Sequence, residues 1–178
     1  MAEPAASGPL SIALDNLRTL IANASYWQTL TGAANAPEAA TFIKIGEIRD
    51  GDTSQTDARP ARPFCLLRPG TKPIDYQSIG VNTRVIKGEI EIVIEGQISS
   101  GYSGDSSEAL IEANNVVGNF LKMLDAQSGQ VAGSTRLMFL EDIQTVMDAR
   151  LWTVESQDDP TKRAQFWNAV VSVRWGND

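Results

Sequence analysis

The chain has 178 residues, 42% hydrophobic and 21% charged, a composition that suits one globular domain with its own core. With 15 basic and 22 acidic residues the net charge is −7, and an acidic chain without a basic block argues against nucleic-acid affinity. The absence of histidine removes the commonest general base, the usual Ser-His-Asp triad and most zinc sites, and a single cysteine, Cys65, can form no internal disulfide.

The charge is uneven. Residues 1–89 hold 9 basic and 9 acidic side chains, and residues 90–178 hold 6 and 13, so the whole negative excess sits in the second half. Residues 1–8 are rich in small residues and carry Glu3 but no Lys or Arg, so they are expected to be a flexible N-terminus and not a signal peptide. No apolar run approaches the ~20 residues that span a bilayer.

The first predicted element is a helix over residues 9–30. Pro9 suits its first position, and Leu10, Leu14, Leu17, Ile21 and Ala24 recur at helical spacing, with Leu20 and Trp27 widening the stripe. Asp15, Asn16, Arg18 and Thr19 take the other side, and Gly32 ends the helix. A strand is expected over 41–48, where Phe42, Ile45 and Ile48, with Ile43 beside them, alternate with Lys44 and Glu47. Residues 49–62 are a long polar loop that cannot build a core. A short apolar strand follows over 63–68, with Cys65 as a small buried residue, and 69–82 returns to loop composition.

Residues 83–99 carry the clearest strand pattern. Ile86, Ile90, Ile92, Ile94 and Ile98 fall on even positions, while Lys87, Glu89, Glu91, Glu95 and Gln97 fall on odd ones. That alternation means one buried and one wet face. A turn over 101–105 leads to a second helix that reaches about residue 128, with Leu110, Ala113, Val117, Leu121 and Leu124 as its apolar stripe. A strand over 135–147 and a closing strand over 166–175 complete the chain. In the last, Trp167, Ala169, Val171, Val173 and Trp175 alternate with polar residues. The predicted fold class is α+β. The expected architecture is a single domain over 1–178, a two-layer sandwich whose mainly antiparallel sheet of about four to five strands carries two main helices on one face.

Chemistry-bearing motifs are few. Asp50-Gly51-Asp52 begins like a calcium loop, but the sixth position is Gln55 and the twelfth Ala61, where a glycine and a bidentate glutamate are needed. No phosphate-cradling glycine loop occurs. Glu89, Glu91 and Glu95 share one strand face with Lys87, and a solvated face is the simpler reading than a catalytic carboxylate pair. Trp152, next to a loop, is the one tryptophan placed for an exposed contact. No enzyme activity, cofactor or metal is expected.

Three segments carry a resemblance. They are Leu17-Arg18-Thr19-Leu20-Ile21-Ala22 with Tyr26-Trp27-Gln28-Thr29-Leu30-Thr31-Gly32, then Gly88-Glu89-Ile90-Glu91-Ile92 leading to a helix near Ser107, and the closing Phe166-Trp167-Asn168-Ala169-Val170-Val171-Ser172-Val173-Arg174-Trp175. Together they resemble a family of siphophage structural proteins of the head–tail junction, similar to the tail terminators of lambdoid phages. The resemblance implies an α+β virion subunit that forms a hexameric ring, caps the tail tube, ends its polymerisation and joins it to the head connector. It implies assembly in the host cytoplasm, and as partners further copies of the chain, a tail-tube protein and a head-connector protein, with no membrane. Glu89, Glu91 and Glu95 are then expected to face the lumen, where DNA passes without tight binding. Arg49, Arg59, Arg62 and Arg68, in or beside the polar loop, are expected to contact a neighbouring ring or subunit. A stopper, a neck adaptor or a tail-tube protein would share these features. A protein- or small-ligand-binding module that pairs a partner strand at its sheet edge is the reading from another class.

Overall fold

The sequence opens on a helix because its apolar residues recur every three to four positions behind a proline that cannot donate a backbone hydrogen bond. In the computed structural model, which describes residues 8–46, 63–72, 74–78, 84–98, 106–127, 139–155 and 163–176, that helix is α1 (Pro9–Asn23). It buries Leu14, Leu17, Leu20 and Ile21, and also Asn16, which the sequence pattern assigns to the wet side. The single helix expected over 9–30 is two. Ala24 is extended (φ −72°, ψ 126°), and a second helix, α2 (Ser25–Thr31), follows it. The break is stabilised on both sides. The Gln28 side chain donates to the Ala22 carbonyl (2.9 Å), an acceptor the interrupted helix would leave bare. The turn also sends Trp27 into the core, where its Nε1 donates to the Ala39 carbonyl (3.2 Å) and its ring meets Phe120 edge-on at 5.9 Å. α2 stops at Gly32 in the left-handed conformation, as the sequence indicates.

A third helix, α3 (Ala36–Ala40), follows in a stretch for which the sequence pattern predicts no element. Asn35 accepts a bond from the Glu38 amide (3.0 Å), and Glu38 reaches back to accept from the Ala34 amide (2.8 Å). This is a reciprocal cap, and Pro37 stands in the first turn, where its missing N–H is harmless.

Among the described residues the strands form one six-stranded sheet. β1 (Ile43–Ile45) runs parallel to β2 (Phe64–Pro69). β3 (Asp75–Ser78) and β2 both pair antiparallel with β4 (Arg84–Gln97), on the edge opposite β6 (Arg163–Gly176). β5 (Phe139–Glu155) pairs antiparallel with β6, and the order is β1-β2-β4-β6-β5 with β3 beside β4. The sixth strand is β3, in a stretch the composition marks as loop. The first strand is shorter than the expected 41–48, and Ile43, not Ile45, is its buried residue. β5 runs to Glu155, beyond the expected end at 147, and its register to β6 slips between Leu140 and Asp142, Ile143 and Thr145, and Met147 and Arg150. Each slip resets the two-residue alternation, so the strand cannot be followed by period.

The fold class is α+β, with helices packed on one face of the sheet. α1 lies against β1, β2, β4 and β5, and the fourth helix, α4 (Ser106–Gln127), lies against β5 and β6. Tyr26 ties α2 to α4 by donating to the Val116 carbonyl (3.2 Å). α4 buries Ala109, Ala113, Val117, Phe120, Met123 and Leu124. Leu110, expected in that stripe, is 40% exposed, because the buried face is centred one position earlier. The even residues Ile90, Ile92 and Ile94 of β4 are buried opposite Val173, Val171 and Ala169 of β6, as the alternation predicts.

Two register pairs frame this core. Gly88 lies opposite Trp175, and Gly96 opposite Trp167. A Cβ on either glycine would come within 2.5 Å of the Cζ2 atom of that indole. Each glycine is therefore the floor on which a cross-strand tryptophan lies, and no larger residue fits beneath it.

Candidate functional site

The odd-numbered residues of β4 point away from the helix-covered face, and the register places them among neighbours from β2 and β6. Glu91 stands between Arg68 and Ser172, Glu89 is opposite Arg174, and Glu95 stands between Phe64 and Asn168. The three glutamates singled out from the sequence therefore share one face with a set of cations. Arg68 Nε contacts Glu91 Oε2 at 2.7 Å, and Lys72 Nζ contacts Glu89 Oε2 at 2.8 Å.

The carboxylates are largely sheltered. Glu89 and Glu91 side chains are 10% and 15% exposed, and Glu95 is 8% exposed. The Lys72 ammonium holds the Glu89 carboxyl below its usual range, and the Arg174 charge adds to the effect against the opposing cost of desolvation. Glu89 also fixes the backbone beside it. Its carbonyl accepts from the Gly70 amide at 2.8 Å, and a Cβ at Gly70 would fall 2.7 Å from Glu89 Cβ. One residue of β4 thus anchors the connection from β2 to β3 twice, through main chain and side chain.

Apolar residues continue the same face. Phe64 and Leu66 are buried there outside the main apolar cluster, with Leu66 opposite Val93. Cys65 points the other way into the core, and burial pushes its thiol well above the usual range, which suits packing and not reactivity.

Of the four arginines expected at a contact surface, Arg68 is on β2 and paired, while Arg49, Arg59 and Arg62 lie outside the described residues. So do residues 1–7, the whole of the expected 49–62 loop with its calcium-like segment at Asp50, and the side chain of Trp152. Among the described residues no group of three or more His, Cys, Asp or Glu side chains gathers as metal ligands would, and no helix is long and apolar enough to cross a membrane. The pairing of Glu89 with Lys72 and of Glu91 with Arg68 is what sequence reasoning missed. Arg68↔Glu91 is a cross-strand neighbour pair, and its only signal would have been the β2–β4 register. No family model and no curated protein matches the chain.

Proposed function

We propose that the chain is a structural subunit of a siphophage head–tail junction, a tail terminator whose copies form a ring that caps the tail tube and joins it to the head connector. The reading rests on the resemblance carried by residues 17–22 of α1, residues 26–32 of α2 and its Gly32 cap, residues 88–92 of β4 and the closing residues 166–175. The observation that supports it best is the way the last two of these segments lock together. Gly88 seats Trp175, and Gly96 further along the same strand seats Trp167, so two of the three segments pair with each other within the sheet.

In this reading the β4 face that carries Glu89, Glu91 and Glu95 turns toward the channel, with the three carboxylates sheltered in it at 10%, 15% and 8% exposure. Its cations Arg68 and Lys72 are engaged by carboxylates, which leaves them poor ligands for a passing phosphate backbone. The contact with the adjoining ring falls to the segment carrying Arg49, Arg59 and Arg62. The test is the position and rotational symmetry of this protein's density in assembled tails. A sixfold ring at the head-proximal end of the tube is the expected result. Density repeated along the tube, or a ring of another order, overturns the assignment.

A further inference from the structure

Among the described residues the large apolar side chains that stay exposed are Ile45 (39%), Leu110 (40%) and Ile111 (62%). They fall on two different parts of the molecule. Ile45 is on β1, the strand at one end of the sheet order, while Leu110 and Ile111 are on α4, which packs over β5 and β6 at the other end. The charges beside them are opposite. Lys44 is exposed next to Ile45, and Glu108 is exposed one helical turn from Ile111.

Among the described residues no strand pairs with the outer edge of β1. The Phe42 carbonyl accepts from the Cys65 amide and the Gly46 amide donates to the Leu67 carbonyl, both at 2.9 Å, so residues 42 and 46 face β2. By alternation the backbone groups of Ile43 and Ile45 face outward. A three-residue edge strand of this kind is commonly covered by another element.

We propose that these two patches are the two halves of one repeated contact, in which α4 of one copy covers the β1 edge of the next. Leu110 and Ile111 pack on Ile45 on one side of the edge, and Glu108 reaches across the edge to Lys44, whose side chain leaves the opposite face of β1. The contact is heterologous: each copy offers one patch on each flank, so it propagates head to tail and closes into a ring when its rotation divides the circle. The proposal rests on the ring reading above and names the surface that builds the ring. The opposite charges set the orientation and exclude contact of like patches, since two β1 edges would juxtapose lysines and two α4 turns would juxtapose glutamates.

The test uses the purified full chain and two kinds of variant. Ile45→Cys and Ile111→Cys in one chain, treated with a short bismaleimide, should give a ladder of linked oligomers, while each single variant stays monomeric on a denaturing gel. Cys65 is buried and should not react in the folded protein. Lys44→Glu and Glu108→Lys should each weaken self-association several-fold, and the double exchange should restore it, with melting temperatures reported alongside to show that the fold is intact. Dimers from either single cysteine would show a symmetric contact and overturn the proposal. A sixfold ring in assembled tails that yields no ladder, and does not respond to the charge exchange, would overturn this interface and leave the ring reading standing. A chain that yields no ladder and shows no ring in tails would overturn both.

Discussion

Trp167 shows how much can depend on one side chain in this sheet. Its indole is buried and lies on Gly96, which has no Cβ to hold it off. Trp167→Ala should therefore destabilise the protein by about 3–5 kcal/mol, a large share of a domain's total stability, and chemical denaturation measures it directly. A midpoint unchanged from wild type would place the ring in solvent. The converse substitution, Gly96→Ala, puts a methyl group 2.5 Å from the ring and should cost about 1–3 kcal/mol, although alanine usually suits a strand better than glycine. Glu89 has a different signature. Its folded-state carboxyl titrates below the ordinary glutamate range, so its contribution is present above that range and is lost as pH falls through the depressed value. Wild type should be more stable than Glu89→Gln at pH 7, and the gap should narrow as the pH falls below 4.5. A gap that widens in acid would show that Lys72 does not hold Glu89 ionised in the folded state.

The elements differ in how they are held. β4 has neighbours on both edges, with β2 and β3 on one side and β6 on the other, so its central amides should exchange with solvent last. α3 is only five residues long and relies on its cap. Asn35→Ala should cost about 0.5–2 kcal/mol, measured as a shift of the unfolding midpoint, because it strips the acceptor from the Glu38 amide. The helical break at Ala24 and the slips in β5 explain why element boundaries were the part of the sequence reading that needed correction. Helical spacing continues across Ala24 with only a small phase error, so periodicity alone reads one helix. The register slips in β5 do the reverse and hide a strand of 17 residues. β3 carries no apolar alternation of its own, and its place is set by its pairing with residues 84–87 of β4.

At the scale of the whole molecule, the net charge of −7 and the pairing of Arg68 and Lys72 with carboxylates predict weak affinity for DNA. A band-shift assay at ~0.1 M salt should show no retention of duplex at micromolar protein. Retention there would reveal a basic face and sink the proposal that DNA passes the β4 wall without sticking. Assembly follows a separate logic. An open sheet with helices on one face leaves two unlike flanks, and a ring subunit needs two unlike flanks.

By itself the sequence determined the α+β class, the buried phase of β4 and β6, the burial of Cys65 and the stop at Gly32. These are local signals, a two- or three-to-four-residue period or a single special residue, and local signals survive without knowledge of neighbours. Only the tertiary structure decided what the odd face of β4 is. From its composition that face reads as a solvated acidic row. The register brings Arg68 to Glu91 and the β2–β3 connection brings Lys72 to Glu89, from positions 17 to 23 residues away, and the row becomes a sheltered, charge-paired surface. The seating of Trp175 and Trp167 on Gly88 and Gly96 belongs to the same kind of fact. The four residues are plain in the chain, but which glycine meets which tryptophan is a property of strand pairing, and pairing is settled by the energy of the whole sheet and not by any segment of it.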